Sequence, residues 1–84
     1  MTKLEKRIQR LEQNPRSISS KELSSILTAL GFECRGGKGS HECYKHPKLP
    51  EIKLTVPDQN PLKQPYVAKA LDAIHRLEEL EDDD

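Results

Sequence analysis

Three segments of the chain carry apolar residues at the i, i+3, i+4 or i+7 spacing of an amphipathic helix. They are residues 3–13, residues 20–30, and a segment that begins at Pro65 and loses the pattern after Leu80. The first helix ends before Pro15, because proline disfavours helical backbone in the residue that precedes it. The apolar positions, in chain order, are Leu4, Ile8 and Leu11; Leu23, Ile26, Leu27 and Leu30; and Val67, Ala70, Leu71, Ile74 and Leu77.

The second predicted helix has sequence signals at both ends. Ser19 and Glu22 form a capping-box pattern, in which the serine hydroxyl accepts a hydrogen bond from an amide of the first turn. Ile18 and Leu23 fit the hydrophobic staple that accompanies such a box. Gly31 follows the last apolar residue, where a residue in the left-handed region commonly ends a helix. These signals fix both ends of the predicted helix.

Between the second and third helices the pattern changes to that of strands. Residues 51–56 alternate strictly between apolar and polar side chains, which is typical of a strand with one buried face. Residues 32–35 and 40–46 predict two further strands joined by a glycine-rich turn, and residues 48–50 predict a second connection. Pro57 ends the third strand.

These elements predict an α+β fold, in which a three-stranded antiparallel sheet carries two helices on one face in the order α-β-β-β-α. The first helix is additional, so we divide the chain into an N-terminal helical extension, residues 1–16, and a main domain, residues 17–84, with an acidic C-terminal tail. The extension has a thin apolar stripe and must dock, either on its own domain or on a partner. The predicted core is Leu23, Ile26, Leu27, Leu30, Phe32, Cys43, Ile52, Leu54, Val56, Val67, Ala70, Leu71 and Ile74.

The formal net charge is zero, with 14 basic and 14 acidic residues, but the charges are segregated. Residues 1–17 and 35–63 each carry +3, whereas residues 72–84 carry −6. A +3 segment is a weak electrostatic footprint for nucleic acid, and ordinary solvated charge explains it equally well. No apolar run approaches the roughly 20 residues of a membrane span, and the first residues lack the apolar stretch of a signal peptide. We therefore expect a cytoplasmic protein that does not bind membranes.

Residues 36–47 contain three of the four glycines and two of the three histidines. The glycines predict a hairpin tip, with His41 at the start of the next strand. Histidine ionises near neutral pH, so His41 is a natural general base for the 2′-OH of RNA. Lys38 can neutralise phosphate charge, and the amides of Gly39 and Ser40 can donate to phosphate oxygens. The pattern predicts RNA cleavage without metal or cofactor; the alternative is a surface histidine in an ordinary turn.

Three residues of the predicted sheet are candidates for binding RNA. Tyr44 can stack on a base from the solvent face of the sheet, or alternatively it pairs with Lys53 or Thr55 across the strands. Lys45 and Lys53 are candidates for phosphate contacts.

Two cysteines and two histidines lie close to the predicted turn. Cys34 and Cys43 fall directly opposite each other in a hairpin centred on the turn, and we expect them to be reduced thiols that pack as small apolar groups. Together with His41 and His46 they could form a zinc set, but no Cys-x-x-Cys pair is present, so we predict no metal site. His46 has the opposite strand parity to His41, so water or the turn lysine is the better candidate for the general acid.

Several of these residues, in this order, resemble the HicA family of toxins from bacterial and archaeal toxin–antitoxin pairs. The resemblance rests on Gly31-Phe32, Lys38-Gly39-Ser40-His41, Tyr44, His46-Pro47, Thr55-Val56-Pro57 and Lys63-x-Pro65, and covers roughly residues 17–76. It implies a double-stranded-RNA-binding-domain-like fold, ribosome-independent mRNA cleavage with His41 as the catalytic histidine, and neutralisation by a HicB-type antitoxin. Many relatives carry a histidine shortly after the Val-Pro step, where this chain has Asp58-Gln59.

A second hypothesis from a different class is a non-catalytic RNA- or protein-binding domain of the same fold. An antitoxin gene next to the gene for this chain would favour the nuclease.

Overall fold

The computed structural model describes residues 2–36 and 41–82, with side chains as far as Leu80. Its helices are α1 (Lys3–Gln13), α2 (Ser20–Ala29) and α3 (Gln64–Asp82), with a short 3₁₀ turn (Pro15–Ser17) between the first two. Its strands are β1 (Glu33–Cys34), β2 (His41–His46) and β3 (Leu49–Pro57). After α1, the order is α-β-β-β-α around a three-stranded antiparallel sheet, so the predicted fold class is confirmed.

Both predicted ends of α2 are present. The Ser19 hydroxyl accepts a hydrogen bond from the Glu22 amide at 3.2 Å. At the other end Gly31 has φ +97°, and the Phe32 amide donates to the Leu27 carbonyl at 3.0 Å. This bond, with one from the Gly31 amide to the Thr28 carbonyl, is the pattern of a Schellman cap. The cap turns the chain from α2 directly into β1.

The sheet has the order β1-β2-β3, and β3 is longer than predicted. Leu49 and Pro50, predicted to lie in a connection, belong to β3, so the β2–β3 turn is reduced to Pro47 and Lys48. The prediction missed this because Pro50 interrupts the alternating pattern, although proline is tolerated on an edge strand. β3 occupies one edge of the sheet.

The predicted pairing of Cys34 with Cys43 is wrong by one residue. Cys34 lies opposite Tyr44. Beyond Cys34, the Arg35 amide donates to the Cys43 carbonyl, and the Cys43 amide donates to the Gly36 carbonyl. Two consecutive residues of the first strand, Arg35 and Gly36, are therefore hydrogen-bonded to the same residue of β2. This bulge inserts an extra residue into the first strand, and a shift of one residue moves side chains to the other face of a sheet. The two cysteines therefore lie on opposite faces.

Helices α2 and α3 cover one face of the sheet, and α1 packs against α2, so that the buried residues form one core. The shift of register explains one error in the predicted core: Cys43 is only partly buried and Tyr44 takes the inward position. Leu30, Ile52 and Leu71 are partly buried at its margin. The buried apolar residues are Ile8, Leu11, Ile18, Leu23, Ile26, Leu27, Phe32, Tyr44, Leu49, Leu54, Val56, Leu62, Val67, Ala70, Ala73, Ile74 and Leu77.

Helix α1 docks on its own domain. Leu11 is fully buried and Ile8 is 7% exposed, and both belong to the common core. Glu12 also pairs with His75 of α3, with 3.2 Å between carboxylate oxygen and ring Nε2. The domain boundary between residues 16 and 17 stays a prediction. Within the part of the chain that the structure describes, no helix is both long and apolar enough to cross a membrane.

Candidate nucleic-acid interface

One face of the sheet points away from the helices, and we call it the outer face. Alternation along β2 places His41, Cys43 and Lys45 on this face, and alternation along β3 places Lys53 and Thr55 there. The cross-strand pair Cys43–Thr55 joins the two rows. The outer face therefore gathers the predicted catalytic histidine and two of the predicted RNA-binding lysines.

His41 is the first residue of β2 and is exposed. It lies opposite Pro57, the last residue of β3, so pairing with β3 holds its backbone at the end of the sheet. Lys38, Gly39 and Ser40, predicted to surround it, lie outside the described residues. They directly precede His41 in the sequence.

Lys45 and Lys53 line one cavity on the outer face, with a volume of about 560 Å³. Arg35 lines the same cavity, and its guanidinium pairs with the Glu33 carboxylate at 3.2 Å. Both partners of that pair are more than half exposed, so the interaction is weak and leaves the guanidinium accessible. Three cations against one acid make this part of the outer face locally positive. Arg35 could not be identified from the sequence as a residue of this site, because its face depends on the register of β1.

The predicted solvent-face position of Tyr44 is wrong. The side chain is 4% exposed and lies opposite Leu54 on the helix-covered face, so it does not pair with Lys53 or Thr55 either. Its hydroxyl donates to the Glu42 carboxylate at 2.6 Å. Burial is the largest cause that raises the pKa of the Tyr44 hydroxyl above its ordinary value of 10.0, and this hydrogen bond raises the pKa further. The ring is part of the core and presents no surface on which a base could stack.

His46 is a structural residue of the core. Its Nδ1 accepts a hydrogen bond from the Lys48 amide at 3.0 Å, so Nε2 carries the proton and donates to the Leu30 carbonyl at 3.1 Å. The ring also packs edge-on against Phe32, with 4.9 Å between ring centroids. Since both nitrogens are engaged and the side chain is 7% exposed, His46 is unsuited to be the general acid.

A second cavity, of about 350 Å³, lies where the first turn of α3 meets β3. Lys53 and Thr55 of the outer face form one wall, and Pro65, Tyr66 and Lys69 form the other. Tyr66 and Lys69 were not among the predicted site residues, although the sequence carries a signal for them: both lie off the apolar stripe of the third helix. We call this cavity the β3-edge groove.

The Asp58-Gln59 step holds the loop after β3 against the start of α2. The Ser20 amide donates to the Gln59 carbonyl at 3.0 Å, and the Ser20 hydroxyl donates to the Asp58 carboxylate at 3.4 Å. Gln59 also accepts, through its side chain, from the Lys63 amide. These two residues therefore have a structural role in this chain.

The four residues of the zinc alternative do not converge. Cys34 and His46 lie on the helix-covered side, whereas His41 and Cys43 lie on the outer face. Across residues 2–36 and 41–82, no cluster of three or more His, Cys, Asp or Glu side chains could hold a metal ion.

Comparison with known proteins gives one clear result. Residues 20–75, more than half of the chain, match the sequence model of a family described as the HicA toxin of bacterial toxin–antitoxin systems. The matched region runs from the first residue of α2 into α3 and contains the whole sheet, including the outer face. No curated protein and no solved structure gives a significant match. The chain therefore belongs to the HicA toxin family of bacterial toxin–antitoxin systems.

Proposed function

We propose that this HicA-family toxin is a metal-independent mRNA endoribonuclease in which His41 is the general base, and that a HicB-type antitoxin neutralises it. The observation that carries the proposal is the position of His41. It is exposed at one end of the outer face, on the same side of the sheet as Lys45 and Lys53. Family membership supplies the toxin role and the pairing with an antitoxin.

The cations of the outer face suit a bound RNA backbone. Lys45 lies four residues from His41 along β2, which corresponds to about 13 Å between their backbones. RNA that crosses this face would therefore reach both His41 and the cavity lined by Arg35, Lys45 and Lys53, which we call the basic cavity. Lys45 and Lys53 would bind phosphates, and Lys38, Gly39 and Ser40 would bind the scissile phosphate beside His41.

The proposed reaction is an internal transfer at phosphorus. His41 takes the proton of the ribose 2′-OH, the 2′ oxygen attacks the adjacent phosphorus, and the bond from phosphorus to the 5′ oxygen breaks. The leaving oxygen takes a proton from water or from Lys38, so the products are a 2′,3′-cyclic phosphate and a 5′-OH. Lys38 and the amides of Gly39 and Ser40 would stabilise the additional negative charge that develops on phosphorus.

The chain offers a matched set of histidines for the test. General-base catalysis contributes typically 10²- to 10⁴-fold, so His41→Ala should reduce cleavage of a mixed mRNA substrate by about that factor. His75 is also exposed but lies on α3 and pairs with Glu12, so His75→Ala should cleave like the unmodified protein. Cleavage should persist in EDTA, and end analysis of the products should find cyclic phosphates.

Equal cleavage by the unmodified protein and His41→Ala would contradict the assignment of His41. If neither protein cleaves RNA while both bind it, the non-catalytic binding domain becomes the better description. Expression in a bacterial host adds a test of the partner: growth arrest should follow induction of the toxin, fail to follow induction of His41→Ala, and be relieved by co-expression of a HicB-type protein encoded beside it.

A further inference from the structure

The β3-edge groove joins an aromatic ring to two lysines. Tyr66 is partly buried, so its ring is held by the fold while part of it lines the groove. Lys53 and Lys69 lie on opposite walls, and both side chains are exposed. An accessible aromatic side chain flanked by cations is the arrangement that proteins use to bind single-stranded nucleic acid, because every base can stack on a ring while its phosphates meet positive charge.

The groove lies near the proposed catalytic site. Thr55 lines it and lies opposite Cys43, and His41 is two residues from Cys43 on the same face. Two residues of a strand correspond to about 7 Å and neighbouring strands lie about 5 Å apart, so the groove wall at Thr55 lies about 8 Å from His41 along the sheet. Lys53 also lines the basic cavity of the outer face, and so it connects the two cavities.

We propose that the β3-edge groove is a base-binding subsite, in which an unpaired RNA base stacks on Tyr66 while Lys53 and Lys69 contact the flanking phosphates. This inference rests on the proposed RNA substrate and adds a location and a chemical class to it. The subsite selects unpaired nucleotides, because a base in a duplex cannot leave its stack without losing its pairing. It therefore directs single-stranded RNA towards His41.

The test measures binding separately from cleavage. In the His41→Ala background, a short fluorescein-labelled single-stranded RNA of mixed sequence is titrated by anisotropy. Stacking of one base is worth about 1–3 kcal/mol, so Tyr66→Ala should weaken binding by about 5- to 150-fold. Tyr66→Phe keeps the ring and should bind like the parent protein, which is His41→Ala without a further substitution. Tyr66→Leu keeps apolar bulk without an aromatic face and should bind like Tyr66→Ala.

A series of RNAs with one abasic nucleotide distinguishes stacking from an indirect effect on the fold. At one position, the abasic nucleotide should weaken binding to the parent but leave binding to Tyr66→Ala unchanged, because the contact is already absent there. If Tyr66→Ala loses the same further affinity as the parent at every abasic position, the stacking proposal is overturned.

Failure of this inference and failure of the proposed function give different results. If the protein with His41 intact cleaves the RNA while Tyr66→Ala binds it as tightly as the parent, the subsite is wrong and the nuclease stands. If the RNA is bound but not cleaved, and Tyr66→Ala weakens binding as expected, the subsite stands and the proposed reaction is wrong. Absence of any binding by the parent overturns both.

Discussion

At the residue scale, two glycines with the same backbone conformation have different surroundings. Gly31 has φ +97° and Gly36 has φ +94°, values that residues with a side chain rarely adopt. A Cβ atom at Gly31 would lie 3.0 Å from Nε2 of His46, whereas one at Gly36 would meet nothing within 4 Å. Gly31 is therefore required twice, by its backbone angle and by the histidine that packs on it.

This difference predicts unequal costs for the same substitution. Gly36→Ala should lower the free energy of unfolding by about 1–2 kcal/mol, the cost of a Cβ atom in left-handed backbone. Gly31→Ala should lower the free energy of unfolding by about 2–5 kcal/mol, because it also displaces His46, whose two hydrogen bonds contribute roughly 0.5–1.5 kcal/mol each. Urea denaturation of both variants measures the difference. Equal costs would mean that His46 moves aside freely and does not anchor β2 to the end of α2.

The observed position of Tyr44 shows why a sequence predicts a helix cap better than it predicts the face of the sheet on which a side chain lies. The cap at Gly31 depends on a few consecutive residues, and so the local pattern was sufficient. The face of Tyr44 depends on the bulge at Arg35 and Gly36, which lies in another strand and has no apolar signature. One signal was available: with Phe32 in the core, the predicted register would have placed Lys45 on the core-facing side.

At the element scale, the helices were predictable and the pairing of the strands was less so. A helix buries one stripe of apolar residues that repeats every 3.6 residues, so the stripe can be identified from the sequence of that helix alone. Accordingly, α1 has its predicted bounds, and α2 ends one residue before its predicted end. The register of a strand depends on its partner, and the short, polar β1 gives the pairing little apolar pattern to follow. The groove beside β3 could not be predicted, because it requires the position of α3 relative to the edge of the sheet.

Helix α1 provides a prediction at this scale, because its burial indicates that it folds with the rest of the chain. Leu11 is fully buried, so Leu11→Ala should cost about 2–5 kcal/mol of unfolding free energy, as such substitutions in a packed core do. Arg7 is an exposed residue of the same helix, and Arg7→Ala should change stability by no more than about 0.5 kcal/mol. Thermal and urea denaturation would compare them. A cost below about 1 kcal/mol for Leu11→Ala would mean that residues 1–16 are a separate unit.

At the scale of the whole molecule, the net charge of zero conceals the property that matters for binding RNA. Arg35, Lys45 and Lys53 line one cavity on the outer face, whereas the acidic residues are concentrated towards the end of the chain. Potentials over a surface depend on the local distribution of charge, so a neutral protein can still present a positive surface. Association should therefore be weaker than in a protein with a strongly basic domain, and its affinity should fall less steeply as salt rises, because fewer phosphates are neutralised.

The salt dependence of RNA binding tests whether this face is the one that binds. For single strands, the logarithm of the binding constant falls with the logarithm of salt concentration with a slope of about −0.7 for each phosphate neutralised, so the three cations of the outer-face cavity should by themselves contribute about −2 to the slope. In the His41→Ala background, Lys45→Ala and Lys53→Ala should each reduce the magnitude of that slope by about 0.7. Lys6, an exposed residue of α1, provides the matched control, and Lys6→Ala should leave the slope unchanged.

The two classes of variant should also differ from each other as salt rises. The affinity lost in Lys45→Ala should shrink at high salt, since its origin is electrostatic, whereas the loss in Tyr66→Ala should persist, since stacking on a ring is not screened. Anisotropy titrations at several salt concentrations measure both trends in one experiment. A parental slope retained by Lys45→Ala and Lys53→Ala, together with a reduced slope for Lys6→Ala, would place the RNA on the helical side of the molecule. In that case the outer face would be available to the antitoxin, and the position of His41 would need a different explanation.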